Sequence, residues 1–595
     1  MKPFLFILSL LAVAALGSCN DDFMERYPET SISPEAFFQT VNDLELYTNT
    51  YYEYVSPSFF DYVSDNCVSY AETSEFNDLI RGSITPQTVG GWSKTTWGQL
   101  RRFNFFLENA GHASGDAAAI RHYTGLTRLQ RAIWYYDMVK RYNEVPWYSG
   151  TLTDADEELL YKKRDPRTLV VDSIMADLDY AVQHVSEELG NRTQFSKWYA
   201  YAMTARICLH EGTFRKYHAE LKLQNTAEAY LAKAAEAAAK IMESGLFGID
   251  KTGGASKAYW NLFNRYDLAN SNEMILFMDY DQAALIKHSA GRHTFDWISN
   301  YSRSLMESYQ ALTADGKAVP FSTLPGYDKK TFTEVFENRD PRFAQTFMYP
   351  GYTVAGQTQP ARPNMNLGGY PVIKYMAGTV DQLTSGSQYT DLPVVRYAEV
   401  LLIYAEAKAE LGTLTQTDMD ETVNRIRARV DLPPTVIGQI TDDPALKAQF
   451  PGLADKALLE IRRERRIELV SENFRWDDLM RWNAGHLVEQ VQEGIYVDKL
   501  GLFDVTGDGK PDVGIFRNEA ANTVPEADRG NYSFYYLEGA SGAPNTFALT
   551  HGTYGHIVMN GELNSRKFEQ PKYYYWPVPQ TQLTLNPDLG QTVYW

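Results

Sequence analysis

From Ala227 to Met242 the apolar positions fall at Ala227, Tyr230, Leu231, Ala234, Ala235, Ala238, Ile241 and Met242. That is the i, i+3, i+4, i+7 spacing of one buried helical stripe, and Gly245 beyond it predicts the stop. The same period predicts helices over Ile120–Tyr142, Thr168–Glu188, Lys197–Tyr217, Arg396–Leu411 and Leu458–Val470. Small residues on two of these stripes, Ala200, Ala202 and Ala205 on one and Ala405 and Ala409 on the other, permit close helix–helix approach. Helix pairs recurring at roughly 30–40 residues have the period of a tetratricopeptide-type repeat, although its full consensus is absent. Between Gly248 and Leu392, and again from Gly494 onward, the stripes give way to Gly, Pro, Asn, Asp and aromatics. Those stretches read as long loops and short strands packed against the helices. The fold class expected is mainly α: a tetratricopeptide-like helical frame with a loop-rich second region containing short strands. Loops on a rigid frame are where binding surfaces usually sit.

The first residues follow a different pattern. Met1-Lys2 precedes an almost unbroken apolar run from Pro3 to Leu16, too short for a membrane span and shaped like a secretory signal. Leu16-Gly17-Ser18-Cys19 resembles a bacterial lipobox, in which cleavage precedes the cysteine and that cysteine is acylated. Asn20-Asp21-Asp22 resembles the acidic export signal of surface lipoproteins in the Bacteroidetes. The reading is a signal peptide over 1–18, an N-terminal helical region over 19–247 and a second region over 248–595, with Cys19 as the lipidation site. No other apolar stretch approaches membrane-spanning length, which implies a chain anchored to a membrane and not threaded through it.

Charge and composition narrow the function classes. With 56 basic and 75 acidic residues the formal charge is −19, which argues against nucleic acid as the main partner, since phosphate contacts need a basic surface. Three cysteines exclude a disulfide-stapled scaffold, and Cys67 and Cys208 read as buried apolar thiols. Aromatics make up 13% of the chain, with 40 Tyr, 29 Phe and 11 Trp, more than a core alone requires. The excess points to a surface that stacks on something.

Catalytic signatures are missing. His210-Glu211 begins like a zincin helix, but Phe214 stands where the second histidine would be, so His210 reads as structural. There is no G-x-S-x-G elbow and no Walker loop; Gly507-Asp508-Gly509 starts a dinucleotide fingerprint, yet Asp512 replaces its third glycine. The run Ile461-Arg462-Arg463-Glu464-Arg465-Arg466-Ile467-Glu468-Leu469 predicts an amphipathic helix whose arginines pair with carboxylates, some of them partly buried.

Several ordered segments together resemble one family. After the Cys19 box come Arg26-Tyr27-Pro28-Glu29-Thr30, Phe37-Phe38 and Asp43-Leu44, then Trp97-Gly98-Gln99-Leu100-Arg101-Arg102-Phe103-Asn104 and Tyr135-Tyr136-Asp137. Arg339-Asp340-Pro341-Arg342, Arg396-Tyr397-Ala398-Glu399, Arg475-Trp476-Asp477-Asp478-Leu479, Tyr575-Trp576-Pro577-Val578-Pro579 and Leu585-Asn586-Pro587 follow in order. The set resembles the SusD/RagB family of surface nutrient-binding lipoproteins over essentially the whole mature chain. The resemblance implies a TonB-dependent, SusC-like outer-membrane transporter as partner, over which such a protein sits as a lid. It also implies an outer-membrane location facing the exterior, and no enzymatic activity. The motifs are structural and carry no ligand residues over.

Candidate ligand residues therefore come from chemistry: loop aromatics beside amide or guanidinium groups, which suit a glycan. Tyr70, Asn77 and Arg81 precede Trp92, and His293, Trp297 and Tyr301 lie in the middle loops. Competing readings are a surface glycoside hydrolase and a helical-repeat scaffold that binds peptide or protein. No cofactor is required by this reading. Asp504-Val505-Thr506-Gly507-Asp508-Gly509-Lys510-Pro511-Asp512 spaces oxygen ligands as a short calcium loop does, with Asp504, Thr506, Asp508, Asp512 and the Lys510 carbonyl as candidates. Ile515 stands where an EF-hand needs glutamate, so any calcium would be structural. The alternative is an Asp/Gly-rich turn without an ion.

Overall fold

Long helices follow from the apolar stripes, several of them with side-chain caps. The structure is a computed structural model and describes residues 37–57, 59–61, 63–68, 75–297 and 300–595, with the backbone alone at 75–77. Cys19 with its box, and Tyr70, lie outside the described residues. Helix α1 spans Val41–Asn49, α2 Lys94–Asn109, α3 Ala117–Tyr142, α4 Arg167–His184, α5 Lys197–Tyr217 and α6 Ala227–Glu243. Ser93, Asp116 and Ser196 cap α2, α3 and α5 by accepting backbone N–H bonds from Thr96, Ala119 and Tyr199. Gly245 ends α6 region with φ +67°, the left-handed conformation that favours glycine.

Consecutive helices pack as pairs, α3 on α4 and α5 on α6. The second pair approaches so closely that a Cβ at Gly212 would lie 2.8 Å from Leu231 Cγ. The stack then crosses residue 247. Helix α6 packs on α8 (Tyr397–Glu410), which packs on α9 (Lys456–Glu468), and α10 (Arg475–Arg481) returns to α5. One core runs accordingly from Tyr51 to Leu589. The frame is mainly α and tetratricopeptide-like, as expected.

Strands are short and confined to the loop-rich parts. Antiparallel β1 (Met274–Met278) and β2 (Leu392–Arg396) lead into α8. A smaller second core sits beneath strands β3 (Tyr496–Val497), β4 (Gly501–Phe503), β5 (Val513–Phe516), β6 (Ser533–Tyr536), β7 (Phe547–Leu549) and β8 (Gly555–Met559). They form two three-stranded sheets, β3-β8-β7 and β4-β5-β6, the β5–β6 pair being parallel. Between β1 and β2 lies the short helix α7 (Ala290–Arg292), which runs on into the wide turn His293–Trp297.

The arginine helix differs from its expected form in one respect. Residues Ala457 through Glu468 of α9 are all buried, not only its apolar side. The reason is its position between α8, α10 and the helix Arg303–Ser308, which leaves no face for water. Each guanidinium meets a carboxylate instead: Arg463 pairs with Asp443 at 2.8 Å, Arg465 with Asp478 at 2.8 Å and Arg466 with Asp65 at 3.1 Å. Glu468 takes Arg396 at 2.7 Å, Arg342 at 3.0 Å and Arg429 at 2.5 Å, and those charges hold its carboxyl well below the usual range despite burial. Asp65 is shared with Arg475 at 2.7 Å, so the ion-pair network reaches the segment 63–68. Asp61 accepts N–H bonds from Ser471 at 2.7 Å and Asn66 at 3.0 Å.

Candidate functional site

The turn His293–Trp297 points one side inward and the other out. Ala290, Gly291 and Thr294 are buried, and Thr294 Oγ1 donates to the Ala290 carbonyl at 3.0 Å. Only glycine fits at 291, because a Cβ there would sit 2.4 Å from the Tyr375 carbonyl oxygen. Trp297 projects outward and His293 is partly buried beside it, their rings 4.0 Å apart at 31°. Across His293 lies Phe60, at 5.8 Å and 22°, and Phe60 touches Phe59 at 4.2 Å. The row Phe60–His293–Trp297 ends in a half-exposed indole, 51% accessible. Beside it Arg292 Nη1 pairs with Asp296 Oδ2 at 2.9 Å, and burial pushes the Asp296 carboxyl up. An open aromatic face on the same turn as a guanidinium and a carboxylate can take the apolar face of a sugar ring, with polar groups nearby for its hydroxyls.

The remaining predicted residues are elsewhere. Tyr301 is 2% exposed, with its hydroxyl on Ser471 Oγ and its N–H donated to the Tyr370 carbonyl at 3.0 Å, so it serves the second core. Trp92 is also buried; it packs against Tyr142 at 4.9 Å and Trp97 at 5.1 Å beside the start of α2. It lines an apolar cavity of about 630 Å³ with Trp97, Tyr148, Leu152 and Leu160. Arg81 forms an ion pair with Glu562 at 3.0 Å, and Asn77 belongs to the short helix Glu75–Ile80. Of the predicted ligand residues the structure thus brings together His293 and Trp297. Phe59 and Phe60 were the missed members. The signal was available: an aromatic pair set between Pro57 and Asp61 in a segment without helical period.

Two other readings find a place in the frame. His210 Nδ1 bonds the Tyr136 hydroxyl at 2.9 Å, and burial pulls the imidazole down to about 3, while Glu211 binds Arg167 and Arg215. Cys67 and Cys208 are both buried, and burial pushes the Cys208 thiol up to about 12. The predicted calcium loop joins β4 to β5. Carboxylate oxygens of Asp504, Asp508 and Asp512 lie within 4.8 Å of one another. Asp504 accepts N–H bonds from Gly507 at 2.6 Å and Gly509 at 2.8 Å, Asp508 accepts from Lys510 at 2.8 Å, and Asp512 accepts from the Thr506 hydroxyl at 2.7 Å.

The sequence profile of the SusD family matches residues 257–595, and one described as "Starch-binding associating with outer membrane" matches residues 23–209. The first match covers more than half of the sequence, and the chain belongs to the SusD family. It is similar to SusD-like protein P38 of Formosa agariphila, 25% identical over 525 residues, 83% of this chain and 94% of that protein. Its fold is similar to a SusD-like carbohydrate-binding protein from Bacteroides fragilis, with a TM-score of 0.65 at 21% identity over 93% of this chain and all of the other. A laminarin-binding SusD-like protein shares the fold with a TM-score of 0.53 at 16% identity, over 94% of this chain and all of the other.

Proposed function

We propose that this chain is a cell-surface glycan-binding lipoprotein that captures oligosaccharide at the Phe60–His293–Trp297 row and delivers it to a TonB-dependent outer-membrane transporter, performing no chemistry itself. The observation that carries the reading is the half-exposed Trp297 indole, packed at a tilt on His293 in the turn that also holds the Arg292–Asp296 pair. Laminarin binding by a protein of the same fold supports a carbohydrate in this role. The test is affinity electrophoresis of residues 20–595 through gels holding soluble polysaccharides, with chromatography of the sugars afterwards. Retardation by at least one polymer without new products is expected. Released products would make the protein a glycoside hydrolase, and no retardation with retained capture of the transporter would make it a protein-binding scaffold.

We infer in addition that the loop from Asp504 to Asp512 takes a structural calcium. Three converging carboxylates, with the Thr506 hydroxyl and the Lys510 carbonyl, offer the hard oxygen ligands that ion requires.

A further inference from the structure

One backbone outlier bonds to every segment that builds the aromatic row. Ser471, between α9 and α10, is fully buried and holds φ +59°, the left-handed region that glycine enters freely and serine only at a cost. Its neighbours keep it there. The buried Lys374 ammonium donates to the Val470 carbonyl and to Glu472 Oε1, both at 2.7 Å, so the residues before and after Ser471 share one cation. A glycine at this position would relieve the backbone but would lack the hydroxyl.

Each polar group of Ser471 meets a different wall of the candidate site. Its N–H donates to Asp61 Oδ2 at 2.7 Å, and Asp61 adjoins Phe60, one end of the row. Its carbonyl accepts the Tyr375 hydroxyl at 2.8 Å, and the Tyr375 backbone is what Gly291 passes at the entry to the turn. Its hydroxyl bonds the hydroxyl of Tyr301, four residues beyond Trp297. An antiparallel bridge between Cys67 and Tyr301 ties two of these segments directly, and Ser471 joins the third to them. The row Phe60–His293–Trp297 needs all three in register, because ring contact is short-ranged. A gap of about 0.5–1 Å forfeits about a quarter to a half of such a contact.

We propose that Ser471 is a positioning residue of the glycan site: its N–H, carbonyl and hydroxyl hold Phe60, α7 and the exit of the turn in the register that keeps the Trp297 indole against His293 and open to a sugar. The inference rests on the reading of Trp297 as a glycan contact. Ser471 is buried and touches no ligand itself. It acts by preorganisation, removing an ordering cost that binding would otherwise carry. Backbone strain persists where the surroundings over-determine it, and here three bonds and a shared cation do so.

The experiment compares the wild type with Ser471→Gly, Tyr301→Phe, the double variant and Trp297→Ala, all as residues 20–595. Ser471→Gly removes the hydroxyl and the backbone strain together, and Tyr301→Phe removes the same bond from its other side. The melting temperature of Ser471→Gly is expected to match the wild type closely, because the lost bond and the relieved backbone offset each other. The row is read without ligand. Histidine carrying carbon-13 at Cε1 reports His293, assigned with His293→Gln, whose ring proton is shifted by the Phe60 and Trp297 rings. Both single variants should move that signal toward the position of an unstacked histidine. Affinity comes from calorimetry with whichever of laminarin, xyloglucan or starch retards the wild type in gels. It should fall about two- to tenfold in each single variant, the worth of one hydrogen bond, with no further loss in the double. An unmoved His293 signal in both single variants overturns the proposal, whatever the affinity does. A moved signal with wild-type affinity overturns it as well, since the register would then not matter to binding. Additive losses in the double variant give the two residues separate roles and also overturn it. If Ser471→Gly does not fold, Tyr301→Phe carries the same test. Native affinity in Trp297→Ala, or retardation by no polymer, overturns the glycan reading and the functional half of this inference with it. That failure is told apart by the His293 signal, which needs no ligand to show whether Ser471 holds the row.

Discussion

Trp92 and Trp297 are the same residue type in loops of similar composition, and the structure gives them opposite surroundings. Trp297 has half its area in water, so Trp297→Ala removes a stacking face and little packing. Its expected effect is a loss of glycan affinity of about 1–3 kcal/mol by calorimetry, with an unchanged melting temperature. Trp92 is 7% exposed among Tyr142 and Trp97. Trp92→Ala should instead cost about 3–5 kcal/mol of folding stability, read by denaturant unfolding, while the folded fraction binds normally. Nothing in the residues around either tryptophan distinguishes them in one dimension, because burial is decided by which distant segment arrives. A second residue-scale effect belongs to Asp391, buried while accepting the N–H groups of Tyr280 at 3.0 Å and Leu268 at 2.9 Å. Burial, with Asp279 and Asp267 nearby, pushes its carboxyl up to about 7. The unfolded carboxyl titrates near 3.8, so between pH 4 and 7 the folded state holds the extra proton and this contribution falls as pH rises. His210, drawn down to about 3, works in the opposite sense, its contribution complete above its ordinary 6.5 and lost as pH falls. Asp391→Asn isolates the first effect. The variant carries a constant penalty, since an amide offers one acceptor to two N–H donors, but the gap to wild type should narrow from pH 4 to pH 7 in urea titrations. A gap that stays constant would show Asp391 ionised throughout.

At the scale of elements, the periodic helices were legible and their relations were not. The stripe over Lys197–Tyr217 gives α5 at the same boundaries, and Ala227–Met242 gives α6 to within one residue. Both are long enough for pattern to decide them, with Ser196 capping α5 and Gly245 marking the stop of α6. The short helix α7 was unreadable, because three residues and a wide turn carry no period, and its shape depends on Gly291 passing under Tyr375. The candidate site shares that obscurity: His293 and Trp297 were named from chemistry, but Phe60 joins them only through the buried anchoring of its loop. For α9 the sequence announced arginines and partners, yet the interleaved acids concealed how completely the helix is enclosed. Enclosure makes it sensitive. Glu468→Gln leaves Arg396, Arg342 and Arg429 without their shared carboxylate, and should cost about 3–5 kcal/mol by chemical denaturation, since uncompensated buried charge is the costly product. The loop between β4 and β5 is the milder case. If calcium fills it, ligand present at a hundredfold over its dissociation constant adds about 2.7 kcal/mol to the state that binds it. Melting should then rise with calcium and fall with chelator in the wild type, and Asp508→Ala should abolish the difference. Equal curves in all four conditions, with no calcium by elemental analysis, leave the N–H bonds to Asp504 and Asp512 as the whole account of the turn.

At the scale of the whole molecule, the proposed function has to explain how an acidic chain would stay at a membrane. With a formal charge of −19 it is repelled by anionic lipid surfaces, so a basic patch is not what holds it there. Among the described residues no helix is long and apolar enough to cross a bilayer. The ordered motifs that placed the chain in its family are frame motifs, which explains why family membership could be read from sequence while the nutrient could not. On the proposed reading the anchor is the Leu16–Cys19 box, outside the described residues. One acyl chain gives only reversible attachment, whereas the two or three of a bacterial lipoprotein hold firmly without any protein–membrane contact. Cys19→Ala should therefore move the protein from the outer-membrane pellet to the soluble fraction and end its labelling by palmitate, with the melting temperature of the released chain equal to that of residues 20–595. Protease added to intact cells should degrade the wild type, as an exterior location requires. If the variant pellets and labels as the wild type does, the cysteine is not the anchor. If the wild type resists external protease until the outer membrane is opened, the chain faces the periplasm, and capture of glycan at the cell surface is excluded.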